Sequence, residues 1–356
     1  MRPLIDSFGR VHRDLRISVT DRCNYRCTYC MPEEGMQWLP RTELLTYEEL
    51  ARLAGVMVGQ FGIDSIRLTG GEPTMRAHLP VLIEKLSVLR TPAGPLVDLA
   101  LTTNGSTLRA QAHDLAAAGL RRINVSCDSL RADRFFEITK RDELAKVLDG
   151  IDAALEAGLD PVKLNVVVMR GVNDDEIVDF ARYGRDHGVT VRFIEFMPLD
   201  AQGDWTNDQV VTQAEIIEAI DAVFPLDTGS RGFDVTAPEP SIVAGERRDL
   251  DHDVEGSAPA ERFAYRDGRG EVGVIPSVTH AFCSTCDRVR LTAEGELRTC
   301  LFALDEYDLR GPLRAGAGDD ELAAIIERAV GNKWAGHQIN QVHFIRPRKS
   351  MSQIGG

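Results

Sequence analysis

Two sets of three cysteines carry most of the chemistry this sequence offers. Cys23, Cys27 and Cys30 are spaced C-x3-C-x2-C in TDRCNYRCTYCMP, and Cys283, Cys286 and Cys300 are spaced C-x2-C-x13-C. Thiolates at such spacings hold zinc or iron–sulfur clusters. A structural zinc ion fills its four positions, whereas three thiolates on a cluster of four irons leave one iron open. An open iron on a reducing cluster can take a small chelating molecule and pass it an electron. Spacing alone leaves zinc open at either trio. His280, three residues ahead of Cys283, could complete a Cys3His site. The seventh cysteine, Cys127, lies in the apolar run INVSC and reads as a buried structural thiol.

Other polar residues stand at the ends or in the interiors of strand-like runs. Gly70-Gly71-Glu72-Pro73 follows SIRLT directly, where glycines let backbone approach a ligand closely. Ser126 ends an apolar run and offers a hydroxyl to a ribose or carboxylate. Met197 ends another and could stack on adenine, although core or cap roles would also explain both. Cations lie inside strand patterns: Arg16 in LRISV, Arg67 in SIRLT, Lys163 in VKLNV and Arg192 in VRFIEF. Strand interiors seldom hold charges unless the charges are paired or face a polar cavity. Any one of these could be salt-bridged. Together with Arg288 and Arg290, which alternation puts on one face between the cysteines, they suit a cavity for a ligand with several negative charges. No P-loop sequence is present, so phosphates would be bound by side chains.

The elements that must position these groups follow a regular order. Strand-like runs at 15–20, 65–69, 97–103, 121–127, 162–169 and 190–197 alternate with helical patterns at 46–62, 107–118, 142–157, 174–187 and 212–223. A further helix carries Leu79, Leu82, Ile83 and Leu86 on one face, and Thr46 with Glu49 reads as a helix N-cap. Six β-then-α units predict a parallel sheet wound right-handedly, with ligands at the carboxyl ends of its strands. Periodicity does not say whether the sheet closes into a barrel. We expect domain limits at 1–224 and 263–356, separated by a flexible insertion at 225–262 rich in Pro, Gly and charge. The last part reads as a small α+β region carrying the second trio.

The chain has 356 residues and a net charge of −14, with 43% apolar and 27% charged residues, an ordinary balance for a soluble protein. Acidity argues against general nucleic-acid or anionic-membrane binding. No apolar run reaches the roughly 18 residues of a membrane span. The start, MRPLIDSFGRVHRD, lacks a signal-peptide core. The expectation is a cytoplasmic location with reduced thiols.

The C-x3-C-x2-C run with Tyr29 before its last cysteine, followed by GGEP, resembles the radical S-adenosylmethionine superfamily. Beyond those motifs, LTTNG, INVSCDSL, VRFIEFMP, CSTCDRVRLTAEGELRTCL and the terminal MSQIGG resemble the GTP 3′,8-cyclase family of molybdenum cofactor biosynthesis, over nearly the whole chain. The resemblance implies a partial (β/α)6 TIM-type barrel. It implies 4Fe-4S clusters on Cys23, Cys27 and Cys30 and on Cys283, Cys286 and Cys300, leaving His280 without a metal role. S-adenosylmethionine would be bound at Tyr29, Gly71, Ser126 and Met197. GTP would be bound at Arg16, Arg67, Thr102, Lys163, Arg192, Arg288, Val289 and Arg290. Arg288, Arg290, Gly355 and Gly356 would serve catalysis, the Gly-Gly tail inserting toward the active site. The implied reaction is removal of the C3′ hydrogen of GTP by a 5′-deoxyadenosyl radical and attack of C3′ on C8. The implied partners are cyclic pyranopterin monophosphate synthase acting on the product, a reductant such as flavodoxin or ferredoxin, and a second copy of the chain. Asp287 departs from the Asn expected of the family, and the stretch between Met197 and Cys283 is longer than expected.

Overall fold

Strand alternation sorts the side chains of VKLNVVV (Val162–Val168). Val162, Leu164, Val166 and Val168 are buried, while Lys163, Asn165 and Val167 are only partly so. The first set packs outward under helices and the second faces inward. The same rule turns Leu15 and Ile17 outward and Asp14 and Arg16 inward on the first strand. A parallel sheet buried on both faces reads as a continuous apolar run. The polar second face here marks a lined chamber instead.

The computed structural model describes residues 2–32, 36–200, 203–228, 259–342 and 344–355. Eight parallel strands form its centre: β1 (Asp14–Ser18), β2 (Ser65–Thr69), β3 (Asp98–Thr103), β4 (Arg122–Ser126), β5 (Val162–Val168), β6 (Thr190–Glu195), β7 (Glu271–Ile275) and β8 (Arg288–Leu291). The first six pair in chain order. β7 adds beside β6, and β8 adds beside β1, so the last two strands lie at opposite edges. They do not pair with each other, and the ring stays open. The chain crosses that opening between Ile275 and Arg288, carrying Cys283 on a short 3-10 turn, Phe282–Thr285, and Cys286 directly after it at its C-cap.

Helices cover the outside. Tyr47–Phe61 begins at Thr46, whose hydroxyl accepts from Glu49 N while Glu49 accepts from Thr46 N, the capping box read from the sequence. Its Leu50, Leu53, Ala54, Met57 and Phe61 are buried against the sheet. Each such burial contributes roughly 1.5–3 kcal/mol for a large apolar side chain. Asp319–Gly331 packs beside that helix, joining the C-terminal part to the barrel wall. The hairpin strands Glu296–Arg298 and Tyr307–Asp308 extend the sheet beyond β8. Glu261–Tyr265 and Leu226–Asp227 extend it beyond β7. Both ends of the 225–262 stretch are therefore strand, and its residues 229–258 lie outside the described residues. Among the described residues no helix is long and apolar enough to cross a membrane.

Candidate active site

The loop after β1 carries the first trio, and its backbone is tied down on both sides. Arg26 N and Thr28 N donate to Thr139 O and Ile138 O, and Cys30 N and Met31 N both donate to Cys27 O. Arg26 Nη1 reaches the carbonyls of Cys23 and Tyr25 at 2.8 and 2.7 Å. The glycine pair after β2 lies directly on this loop: Gly71 N donates to Thr20 O at 2.7 Å and Glu72 N to Arg22 O at 2.7 Å. A Cβ on Gly71 would stand 2.4 Å from Arg22 O, so only glycine permits the approach. The close approach expected there toward a ligand is, in the structure, an approach to the cysteine loop.

Glu72 is fully buried and accepts from Thr74 N, Thr74 Oγ1, Thr103 Oγ1 and Asn104 N at 2.6–3.0 Å. Burial raises its pKa, and these donors oppose the rise. Tyr29 donates to Asp128 Oδ2 at 2.7 Å, and burial pushes the Asp128 carboxyl up to about 6. Neither acid was assigned a role from the sequence, Glu72 being noted only within the GGEP run. Asp128 could have been, since it follows INVSC at a strand end.

Both trios face one chamber of about 290 Å³. All seven cysteines are free. Cys23, Cys27 and Cys30 line one part, and Cys283, Cys286 and Cys300 another. Among the described residues no three His, Cys, Asp or Glu side chains converge to hold a single metal ion. Thiolates that each take a different iron of one cluster need no such convergence. His280 is exposed, 3.3 Å from Thr279 Oγ1, and is not part of the chamber wall. Burial pushes the Cys23 and Cys283 thiols up to about 11. At Cys286 burial acts the same way, yet Arg288 and Lys333 outweigh it and lower the pKa.

Between the trios the wall is cationic. Arg16, Arg67, Arg192, Arg288 and Arg290 all line it. The register places Arg16 beside Arg67 on one side and beside Arg290 on the other. Asp14 belongs to the same cluster; burial would raise its pKa, but Arg16, Arg67, Arg288 and Arg290 hold it below the ordinary value. Arg192 is held by neutral partners, Asn165 Oδ1 at 2.7 Å and Asn124 Oδ1 at 2.8 Å. Burial, with neighbouring guanidiniums, lowers Arg192 to about 9 and Arg290 to about 10. Such crowding of cations favours a polyanionic ligand.

Of the residues singled out from sequence, Tyr29, Gly71, Thr102, Ser126 and Met197 also line the chamber. Lys163 shares the inward face of β5, at the level of Asn124, outside the chamber wall. Alternation turns the Val289 side chain away from the chamber into the main core, beside Leu15. Any part it has in binding is through its backbone. Asp287 also lies off the wall, its carbonyl accepting from Arg13 N at 3.1 Å. The tail forms a short helix, Met351–Ile354, and Gly355 follows with a positive φ; its carbonyl accepts from Arg290 Nη1. Gly356 lies outside the described residues. His337 lines the chamber without having been singled out.

Residues 17–184 match the model of the Radical SAM superfamily, and residues 240–339 match a model described as Molybdenum Cofactor Synthesis C. A solved structure of Streptococcus suis SuiB bound to S-adenosylmethionine is similar with a TM-score of 0.56, at 12% identity, over 88% of this chain and 68% of that one. Fold, cysteine loop and matched model define the class, a radical S-adenosylmethionine enzyme. Relatives named GTP 3′,8-cyclase are similar at 48% identity in Streptomyces coelicolor (99% of this chain, 96% of that one) and 46% in Mycolicibacterium smegmatis (99% and 92%). The chain belongs to the GTP 3′,8-cyclase family. Membership implies a 4Fe-4S cluster and S-adenosylmethionine. The donor set fits them: three free thiols at the chamber wall, with Gly71, Ser126 and Met197 on the same wall.

Proposed function

We propose that this chain converts GTP to 3′,8-cyclo-7,8-dihydroguanosine 5′-triphosphate, the first step of molybdenum cofactor biosynthesis. The cluster on Cys23, Cys27 and Cys30, with S-adenosylmethionine bound, would supply the 5′-deoxyadenosyl radical that takes hydrogen from C3′. Cys283, Cys286 and Cys300 would hold a second 4Fe-4S cluster against the guanine base. Joining C3′ to C8 leaves one unpaired electron on the purine, so one electron and one proton complete the product. The arginines orient the nucleotide and neutralise its phosphates, and the chamber keeps water from the reacting atoms.

The observation that carries this reading is a single chamber shared by two three-thiol sets, with five guanidiniums on its wall. Arg16, Arg67 and Arg290 on three neighbouring strands suit a triphosphate, because guanidinium forks match phosphate oxygens two at a time. Thr102, Lys163, Arg192, Arg288 and the backbone at Val289 complete the nucleotide site. Gly355 and Gly356 close it. In this reading residues 1–224 generate the radical, 263–356 grip the nucleotide, and 225–262 join them. The location is cytoplasmic, where a flavodoxin or ferredoxin supplies electrons. Cyclic pyranopterin monophosphate synthase takes the product, and the chain pairs with a second copy.

The test is anaerobic incubation of the reduced enzyme with S-adenosylmethionine and GTP, followed by mass spectrometry. The reading expects a GTP-dependent product isomeric with GTP, and 5′-deoxyadenosine in equal amount. ATP in place of GTP should give neither. Cleavage of S-adenosylmethionine at the same rate without GTP, leaving GTP unchanged when it is present, overturns the reading.

A further inference from the structure

Residues 4–12 and Lys333 belong to no motif, yet they meet at the second cysteine trio. Ile5 and Val11 pair as an isolated antiparallel bridge, and His12 N donates to Leu4 O at 2.8 Å, closing a small hairpin. The buried Asp6 carboxylate fills its interior. It accepts from Phe8 N and Arg10 N at 2.9 and 3.0 Å, Arg10 Nε at 2.6 Å and His12 Nε2 at 3.1 Å. Because Asp6 accepts from Nε2, the network assigns the proton to that nitrogen and leaves Nδ1 as an acceptor.

His12 Nδ1 faces Lys333 Nζ at 3.5 Å. Lys333 is 4% exposed, and its ammonium has two further acceptors, Arg288 O at 2.7 Å and Cys286 Sγ at 3.6 Å. Three donors thus meet a carbonyl, an imidazole and a sulfur. A buried ammonium needs a compensating negative charge, and no carboxylate is among these partners. A thiolate at Cys286 provides that charge. Arg10 grips the same region: its guanidinium reaches Cys283 O at 2.6 Å, Trp334 O at 2.6 Å and Ala335 O at 2.7 Å. The N-terminal hairpin therefore fixes the backbone of one cysteine and, through Lys333, the charge beside another.

We propose that Lys333 is a positioning residue of the second trio, held by the Asp6–His12 pair so that its ammonium donates to the sulfur of Cys286 and raises the reduction potential of the cluster there. This rests on the reading that Cys283, Cys286 and Cys300 hold an iron–sulfur cluster. Hydrogen bonds and positive charge at a cluster sulfur favour the more negative, reduced state. A purely structural lysine would be satisfied by carbonyls and would leave the potential unmoved.

The test is potentiometric titration of the holoenzyme followed by electron paramagnetic resonance, reading the signal that GTP perturbs. Lys333→Met should keep about eight irons per chain. At a fixed potential its ratio of reduced to oxidised second cluster should fall about tenfold, a shift of ~59 mV for one electron. Lys333→Arg should restore most of the shift, and His12→Phe should move the potential the same way by less. Full iron with an unmoved potential in Lys333→Met overturns the role of Lys333 and leaves the cluster reading standing. About four irons and one zinc per chain in the unmodified protein overturns both. Should Lys333→Met fail to assemble, His12→Phe decides, and an unmoved potential there overturns the proposal.

Discussion

Arg16 on β1 and Arg290 on β8 are direct partners in register on adjacent parallel strands, and both turn into the chamber. Arg67 stands on the other side of Arg16. Like charges at this spacing repel, and burial makes each more costly. Burial, then Arg67 and Arg290, holds the pKa of Arg16 well below its ordinary value. A site built this way gives up stability to hold a polyanion.

Arg16→Met should therefore stabilise the protein in the absence of nucleotide, by about 1–4 kcal/mol. It should also remove most of the stabilisation that GTP confers, which for the unmodified chain is about 2.7 kcal/mol at a hundredfold excess over Kd. Thermal unfolding with and without GTP measures both. A lower melting temperature without GTP, or an unchanged GTP shift, would contradict this account of Arg16.

Gly355 is another position at which glycine is required. It has φ +82, and a Cβ there would stand 2.7 Å from Thr69 Oγ1 and 2.9 Å from Ser18 Cβ. Gly355→Ala should push the tail out of its seat and break the contact of Arg290 with the Gly355 carbonyl. GTP-dependent turnover should fall about a hundredfold, with the first cluster intact by absorbance. Unchanged turnover would remove the tail from the site.

Much of this was legible in the sequence, and the misses have physical causes. The six β-then-α units show in local periodicity, because each helix buries one stripe and each strand every second residue. That β7 and β8 join opposite edges of the sheet depends on pairings far apart in the chain, which periodicity does not encode. The helix Ala132–Thr139 starts at Arg131 without a side-chain cap and so has no start signal. The tail helix is too short to show a period. Alternation already says that any contact of Val289 with a nucleotide runs through its backbone. The cysteines and arginines were found from type and spacing. Bracing roles for Glu72, Asp128, Arg10 and Lys333 were not, since contacts such as Lys333 with His12 join residues 321 apart.

Glu72→Gln tests the brace under the cysteine loop. Glu72 accepts two backbone N–H groups, Thr74 on one oxygen and Asn104 on the other. Whichever way a glutamine amide turns, its NH2 meets one of those donors. The loss should be about 1–3 kcal/mol of stability, with S-adenosylmethionine cleavage impaired more than overall fold by circular dichroism. Full stability and cleavage would mean the Glu72 cluster is dispensable.

His12 predicts an acid-labile N-terminal hairpin. Burial, then Lys333, lowers its pKa from 6.5 to about 4, outweighing Asp6. The unfolded chain thus binds a proton that the folded one refuses between those values. The contribution of neutral His12 is complete above pH 6.5 and is lost as pH falls toward 4. It amounts to about 3 kcal/mol. Denaturant unfolding of the metal-free protein across this window should lose stability on acidification, and His12→Gln should flatten that slope. An equal slope in the variant would contradict the assignment.

The central claim is that a radical formed beside Cys23, Cys27 and Cys30 takes hydrogen from a nucleotide held by the arginines between the two trios. GTP carrying deuterium at C3′ tests it most directly, with 5′-deoxyadenosine analysed by mass spectrometry. One deuterium should pass into 5′-deoxyadenosine, and none when the label sits elsewhere on the ribose. Unlabelled 5′-deoxyadenosine from the C3′-labelled nucleotide would contradict it.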